Sequence, residues 1–454
     1  MNKSIVEKYN IAGPRYTSYP TVPFWKNDPL EHTSWLSTVE KNDAFFQSDA
    51  ISLYIHLPFC ESLCTFCGCH KRITKNHAVE IPYIDAVIKE WEMYKSKFSR
   101  PKVIRELHFG GGTPTFFAPE QLIRLLEAIF DKSSVDPQEV ELSFEAHPNN
   151  TSFDHLQMLY DFGFRRLSLG IQDYSPTVQQ AINRIQPFEQ VEKVHDEARR
   201  MGYKSVSHDL IFGLPKQTLQ DIKNTVQNTL KLMPDRIALY SYAHVPWIKG
   251  NGQRGFDESD LPQNDVKRQL YETAKFSLEE AGYIEIGMDH FALPADDLAV
   301  AFTTKKLHRN FMGYTTQNTS FLLGLGMSAI SDSWFGFAQN DKTVETYMKL
   351  INDGDLAVVK GHILNDLELE IRKYILDLMC HFETEFRIDS PYQEIHEKIK
   401  LDLSEMIADG LVLIDNNKVT VTNSGIPFVR NCCMAFDQDL KAGEILDKKF
   451  SSTI

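Results

Sequence analysis

Long apolar runs are missing from this sequence of 454 residues. The nearest approach, Ser320 to Ala338, is broken by Ser, Asp and Gly, short of the roughly 18 uninterrupted apolar residues a spanning helix needs. The first residues, Met1 to Thr21, hold no apolar core and no small-residue cleavage site. A cytoplasmic chain with no membrane partner is expected. Positive charge is scarce as well: Lys and Arg number 48 against 62 Asp and Glu, a formal net charge of −14. So acidic a chain gains nothing from phosphate backbones, which argues against nucleic acid as a partner. Repeats and low-complexity segments are absent, and 42% hydrophobic with 24% charged residues is an ordinary folded composition. Collagen-like, coiled-coil and disordered classes are excluded. Cysteines number only seven, and four of them (Cys60, Cys64, Cys67 and Cys69) fall within ten positions. A disulfide framework spreads its cysteines to staple distant loops. Crowding them in a reducing compartment points to a metal or cluster site.

What is present alternates. β-rich runs at Ser52–Leu57, Arg105–Phe109, Val140–Glu145, Arg166–Gln172, Lys204–Phe212, Arg236–Tyr242 and Tyr283–Met288 are separated by stretches of helical period. Such alternation builds a parallel sheet through right-handed crossovers. Six or seven units predict an α/β fold, a partial (β/α)6-type barrel. Chemistry in such folds collects at the carboxyl ends of the strands. There the sequence places Cys60, Gly110–Thr113, Glu145, Gln172, Asp209 and Ala243. After about residue 360 the pattern changes to helices at Leu367–Phe382 and Ile395–Ala408, then a hairpin turning at Asp415–Asn417. The expected organisation is an N-terminal arm over the site (1–50), the barrel and its extension (51–359), and a mainly α-helical, winged-helix-like C-terminal domain (360–454). That last domain lacks a basic recognition stripe.

Cys60-Glu-Ser-Leu-Cys64-Thr-Phe-Cys67 has the spacing C-x3-C-x2-C. A loop can set three such thiolates on three corners of one cubane and leave the fourth iron open to a small chelate. Zinc is the rival, since Cys67, Cys69 and His70 follow closely, but no second ligand pair accompanies them. A c-type haem motif fails by one residue. Gly110-Gly-Gly-Thr113-Pro114 follows a strand and precedes a helix, so backbone groups there can approach a ligand; a tight turn explains one glycine and not three. No Lys-Ser/Thr follows to make a phosphate loop. Glu145 ends an apolar strand, either aimed into the barrel mouth or paired with a barrel arginine. Gly324 to Ala329 imitates a dinucleotide fingerprint but lacks the following helix and acid, and reads as a loop-to-strand turn. His56, His108, His290 and His308 read as core or turn residues.

The cysteine run resembles the signature of radical S-adenosylmethionine enzymes. More narrowly, Tyr54-Ile-His-Leu-Pro-Phe-Cys60 with Cys67-Gly-Cys69 resembles the oxygen-independent coproporphyrinogen III oxidases. So do Gly13-Pro-Arg-Tyr-Thr-Ser-Tyr-Pro-Thr21, Leu107-His-Phe-Gly-Gly-Gly-Thr-Pro114, Gly170-Ile-Gln-Asp173, Asp209-Leu-Ile-Phe-Gly-Leu-Pro215, Gly287-Met-Asp-His-Phe291 and Leu307-His-Arg-Asn-Phe311. The resemblance implies oxidative decarboxylation of two propionates of coproporphyrinogen III to vinyl groups by a 5′-deoxyadenosyl radical. It implies a [4Fe–4S] cluster on Cys60, Cys64 and Cys67, and two S-adenosylmethionines. The first would contact Tyr54, Gly111, Glu145 and Ile330; the second Phe66, Gly112, Thr113, Gln172, Arg184, Asp209 and Ala243. Cys69 and Glu145 stand as catalytic candidates. Arg15 and Arg309 are candidate clamps for substrate carboxylates, with Phe311 beside them. An electron donor such as a flavodoxin or ferredoxin and a monomeric state are also implied.

Two departures from the family pattern stand out: Glu145-Ala-His147-Pro148 where Glu-x-Asp-Pro is usual, and Met312 where a glutamine follows the phenylalanine. Both bear on substrate detail and not on the cluster. Within the superfamily the rival is a haem chaperone or haem-opening methyltransferase; chaperone-type relatives generally lack the Gly68-Cys69 extension and the arm. A zinc-stabilised regulatory protein without catalysis is the rival of another class.

Overall fold

Six strands form the middle of one large sheet: β1 (Ala50–Leu57), β2 (Val103–Gly111), β3 (Glu141–Ala146), β4 (Arg166–Gln172), β5 (Ser205–Phe212) and β6 (Arg236–Ser241). They lie side by side in chain order, each parallel to the next. The computed structural model describes residues 3–131, 137–246, 252–442 and 450. Between the strands run the helices Glu80–Lys95, Pro119–Phe130, Phe153–Phe162, Phe188–Met201 and Leu219–Leu232, with Asn264–Glu280 after β6. Each has a local reason to start or stop. Proline opens Pro119–Phe130, Thr218 and Asp221 form a capping box at Leu219–Leu232, and Gly202 closes Phe188–Met201 in a left-handed conformation. Their apolar stripes, such as Leu122, Leu125, Leu126 and Ile129, pack on the outward residues Leu53, Ile55, Leu107, Phe109, Phe144 and Leu169 to make the main core. At about 1.5–3 kcal/mol per buried large apolar side chain, this outer layer holds the strands in place.

The sheet extends beyond the barrel strands on both sides. Leu322–Leu325 joins β1 in parallel, and Ile330–Asp332, Gly336–Asn340 and Val358–Ile363 follow antiparallel. The last of these strands runs across the expected boundary at 359/360. On the other side, Ile284–Ile286 and His290–Ala292 form a hairpin, with His290–Ala292 antiparallel to β6. The run Tyr283–Met288 was expected to behave like the parallel strands before it. Instead the chain reverses because Gly287 and Asp289 take positive φ, 56° and 69°. A side chain at Gly287 would also lie 2.3 Å from the Tyr314 ring.

The first fifty residues hold more order than their sequence shows. Helices Lys3–Tyr9 and His32–Phe46 flank the arm. The second buries Trp35, Thr38, Val39, Asn42 and Asp43, and three polar residues on the buried face hide its period. After Asp366–His381 comes the short strand Glu383–Glu385, then helices Gln393–Asp402 and Ser404–Ala408 and the hairpin Val412–Asp415 with Lys418–Val421. The strand pairs with the second arm of that hairpin. Tyr9, Tyr16 and Tyr19 join the core of this C-terminal part, so the arm is docked on it. Among the described residues no helix is long and apolar enough to cross a membrane.

Candidate active site

Beyond β1 the chain turns through Pro58 into the cysteine loop, which is fixed by bonds from its rims. Phe59 and Cys60 pair with Arg72 and Ile73. The Thr65 amide and hydroxyl donate to the Ile182 and Ala181 carbonyls, both at 3.0 Å, and Asn183 Nδ2 donates to the Leu63 carbonyl at 2.8 Å. Lys71 Nζ reaches the carbonyls of Cys67 and Cys69 at 3.2 and 3.3 Å.

The glycine segment at the end of β2 lies against this loop. The Gly112 amide donates to the Leu57 carbonyl at 2.9 Å and the Thr113 amide to the Phe59 carbonyl at 3.0 Å. A Cβ on Gly112 would stand 2.5 Å from the Pro58 backbone, so only glycine permits the approach.

One cavity, enclosing about 810 Å³ of empty space, is lined by Cys60, Cys64, Phe66, Cys67, Cys69, Lys71, Gly111, Gly112, Thr113, Glu145, His147, Asn150, Gln172, Arg184 and Asp209. It thus gathers residues from the ends of β2 to β5. Thr113 Oγ1 donates to Cys60 Sγ at 3.3 Å, and burial pushes the Cys60 thiol up to about 11 against that bond. A hydrogen bond from Cys69 pulls Cys67 down to about 6 and correspondingly raises Cys69. Arg184 Nη1 lies 3.6 Å from Cys64 Sγ; its Nη2 bonds the Gly170 carbonyl and its Nε is buried without a hydrogen-bond partner. Glu145 Oε2 accepts the Gly111 amide at 3.3 Å, while Oε1 stands 3.6 Å from His108 Nε2. Burial, then Arg184, lowers His147 to about 3, so the residue replacing the usual aspartate is neutral.

These residues fit the groups that the resemblance implies. Among the described residues no three ligands are gathered tightly enough to hold a single ion. A cubane has separate irons as anchor points, so its thiolates stand apart around a common space, as Cys60, Cys64 and Cys67 do around this cavity. Arg184 and Lys71 with Glu145 and Asp209 present both charges, which suits a ligand carrying an amine, a carboxylate and a sulfonium.

The remaining expected residues sit outside this cavity. Tyr54 lies beneath it on β1, its hydroxyl 3.1 Å from His56 Nδ1 and its ring against Gly110. The Ala243 carbonyl accepts Gln253 Nε2 at 2.8 Å. Ile330 and Phe311 pack together with Trp25 and Phe337. Arg15 pairs with Asp289. Arg309 is buried, and its Nε and Nη2 donate to the Tyr16 and Arg15 carbonyls at 3.4 and 3.3 Å, so its guanidinium holds the arm.

Missed altogether was the polar lumen. The inward residues of the strands are Glu106 and His108; Glu141, Ser143 and Glu145; Arg166 and Ser168; Ser205, Ser207 and Asp209; Arg236 and Tyr240, and all line a second cavity that shares Glu145 and Asp209 with the first. Parallel strands buried on both faces should be apolar throughout, so polar residues at every second position were the available signal.

Burial raises the Asp209 carboxyl from its ordinary 3.8 to about 7, against a 2.8 Å hydrogen bond from Ser168 and with Glu145 adding to the rise. Folded Asp209 therefore keeps its proton to higher pH than unfolded Asp209, and its contribution to stability falls as pH rises from about 4 to 7. Asp209→Asn is expected to melt above the parent at pH 8, with at most about 4 kcal/mol at stake and the gap closing toward pH 4. Melting curves of the cluster-free protein at both pH values check this; equal melting at pH 8 overturns it.

Comparison with known proteins covers almost the whole chain. The sequence pattern of the radical SAM superfamily matches residues 54–228. An oxygen-independent coproporphyrinogen III oxidase from Pseudomonas aeruginosa is 38% identical over 446 residues, covering 96% of this chain and 95% of the relative. The enzyme of that name from Escherichia coli K12 is 37% identical over 444 residues, with the same coverage. Among solved structures, the E. coli coproporphyrinogen III oxidase HemN, described as a radical SAM enzyme, superimposes with a TM-score of 0.88 at 34% identity, over 96% of this chain and 99% of that one.

Proposed function

Because the chain belongs to the oxygen-independent coproporphyrinogen III oxidases of the radical SAM superfamily, we propose that the cysteine cavity and the polar mouth of the barrel act as one radical active site. The protein is an oxidoreductase that converts two propionates of coproporphyrinogen III to vinyl groups, giving protoporphyrinogen IX for haem biosynthesis, with a [4Fe–4S] cluster and S-adenosylmethionine as cofactors. When bound, those cofactors supply a 5′-deoxyadenosyl radical that removes one hydrogen atom from the β-carbon of a propionate.

This chain's residues bind, orient and shield. Cys60, Cys64 and Cys67 hold the cluster. Gly111 with Glu145, Tyr54 and Ile330 hold one S-adenosylmethionine; Phe66, Gly112, Thr113, Gln172, Arg184, Asp209 and Ala243 hold a second. Glu145 is kept in place by the Gly111 amide and so presents a fixed carboxylate rather than a mobile one. Loss of CO2 from the carboxylate and transfer of one further electron to an external one-electron acceptor completes each vinyl group, a step that needs no proton donor. The site's demands are therefore positioning and exclusion of water. The arm of residues 1–50, held by Arg309 and Arg430, covers the mouth and brings Arg15 to the substrate. An external one-electron carrier such as a flavodoxin or ferredoxin supplies the reductant, and the working form is a monomer.

The observation that carries this reading is the convergence of Cys60, Cys64, Cys67, Gly112 and Glu145 on one cavity at the strand ends. Anaerobic reconstitution with iron and sulfide, followed by incubation with S-adenosylmethionine, a one-electron reductant, a one-electron acceptor and coproporphyrinogen III, tests it. Protoporphyrinogen IX and two CO2 per substrate are expected. Intact S-adenosylmethionine cleavage with no porphyrinogen product overturns the substrate assignment.

Cys69 lines the same cavity, but only one residue separates it from Cys67. That makes it a strained fourth ligand, so the thiol serves beside the substrate. Cys69→Ala is expected to keep its four irons and cleave S-adenosylmethionine while porphyrinogen turnover collapses. Mössbauer spectra showing a lost cluster reject that role.

A further inference from the structure

Two side chains in the cysteine cavity address sulfur atoms directly. Thr113 Oγ1 donates to Cys60 Sγ at 3.3 Å, and Arg184 Nη1 lies 3.6 Å from Cys64 Sγ, within donor range of a sulfur acceptor. Binding S-adenosylmethionine, the task given to both residues above, calls for neither contact.

Both donors are held in place. Thr113 is 8% exposed, and its amide donates to the Phe59 carbonyl at 3.0 Å, which sets the hydroxyl beside the next residue, Cys60. The Arg184 amide donates to the Gln179 carbonyl at 2.9 Å, and its Nη2 to the Gly170 carbonyl. Behind it Gln186 is fully buried. Its Nε2 donates to the Ile171 carbonyl at 2.8 Å, its amide to Gln179 Oε1 at 3.1 Å, and its carbonyl accepts Gln179 Nε2 at 2.9 Å. The segment carrying Arg184 is thereby fastened to β4. The same segment holds the cysteine loop at Leu63 and Thr65, on either side of Cys64, through Asn183 and the Ala181 and Ile182 carbonyls.

A neutral thiol draws little from such bonds. A thiolate whose iron has been reduced carries more electron density and draws more. Hydrogen bonds and positive charge at the sulfurs therefore favour the reduced form, one of the levers that set the potential of an iron–sulfur centre. The carboxylates of Glu61 and Glu145 line the cavity as well and work in the opposite sense, while Lys71 spends its Nζ on the Cys67 and Cys69 carbonyls.

We propose that Thr113 and Arg184 hydrogen-bond the Cys60 and Cys64 sulfurs of the loaded enzyme and raise the reduction potential of its cluster, so that an external one-electron carrier can fill it. The inference rests on the three-cysteine cluster site proposed above and adds which side chains tune it. The step they ease is the passage of one electron from the carrier to the cluster, with no bond broken and no proton moved.

Redox titration of the reconstituted protein tests it, followed by the electron paramagnetic resonance signal of the reduced cluster. S-adenosylmethionine is left out, which removes any effect exerted through its binding. At the parent's midpoint, Thr113→Val and Arg184→Gln are each expected to show a ratio of reduced to oxidised cluster about threefold lower, a fall of about 30 mV for one electron. Thr113→Ser keeps the hydroxyl and should stay at the parent's value. Variant midpoints at or above the parent's, or a Thr113→Ser that falls as far as Thr113→Val, overturn the proposal. So does loss of the cluster from both Thr113→Val and Arg184→Gln, since contacts that tune a cluster do not hold it; if one of the two loads, its midpoint decides. A parent that takes up four irons while the variants stay unmoved sinks only this inference. A parent that takes up no four-iron cluster sinks the site on which it rests.

Discussion

Cys64→Ala protein, purified and reconstituted without oxygen, is expected to carry no stable four-iron cluster, no brown chromophore and no detectable turnover. Each thiolate of the loop anchors one iron, and removing one leaves a corner with neither protein nor cofactor to hold it. The chain has no nearby reserve apart from Cys69, because Cys380, Cys432 and Cys433 are buried elsewhere, Cys380 on Asp366–His381 and the other two on Val429–Phe436. The fold should survive. The loop is tied down chiefly by Thr65, Asn183 and Lys71, and its Cys64 sulfur adds only a 3.6 Å contact from Arg184, so melting of the cluster-free variant should fall close to that of the cluster-free parent. Cys60→Ala and Cys67→Ala should behave alike. Adding Cys69→Ala to Cys64→Ala removes any rescue by the fourth thiol. A Cys64→Ala protein with full iron content and turnover ends the three-ligand assignment.

Much of this architecture is legible because its signals are local. Arg166–Gln172 was expected as a strand and is one with the same bounds, and the cysteine spacing needed no tertiary information. Where the reading fell short, the cause was long-range. Helix His32–Phe46 buries Asn42 because Ser320 and Ser333 offer it carbonyls at 2.9 and 2.7 Å, partners some 280 residues away. The extension of the sheet beyond β1 carries Gly324, Gly336 and Gly361 within its strands, which weakens any strand signal. Each is there because a neighbouring chain leaves no room: a Cβ on Gly361 would fall 2.1 Å from the Phe337 carbonyl oxygen. Arg309, a candidate carboxylate clamp by its sequence, is buried and donates to the Tyr16 and Arg15 carbonyls, contacts nearly 300 residues apart in the chain.

The glycine segment supplies the second large effect, since its role is separable from cluster ligation. Gly112→Ala adds one methyl group that would sit 2.5 Å from both the carbonyl carbon and oxygen of Pro58 and 3.0 Å from the Leu57 oxygen. Backbone on both sides means no side chain can swing away, so the two segments must part. Overpacking of this kind costs about 1–3 kcal/mol, which a chain of this size tolerates. The function does not tolerate it, because the same two segments carry Cys60 and line the cysteine cavity. A displacement of about 1 Å is enough to cost about 100-fold in a positioned reaction. Gly112→Ala should therefore keep its iron after reconstitution but cleave S-adenosylmethionine about 100-fold more slowly, with porphyrinogen turnover falling in step. Gly110→Ala is the graded comparison. There the added methyl meets Tyr54 Cε2 at 2.9 Å and Glu145 Oε1 at 3.0 Å, side-chain atoms rather than backbone, so the strain falls on the hold on Glu145 and not on the strand. Its loss should be smaller and should show first as weaker S-adenosylmethionine binding. Iron content and cleavage rate measured on one preparation of each variant decide between the two. If Gly112→Ala cleaves within about threefold of the parent, the close approach at Pro58 is a packing feature and the cofactor is cradled elsewhere.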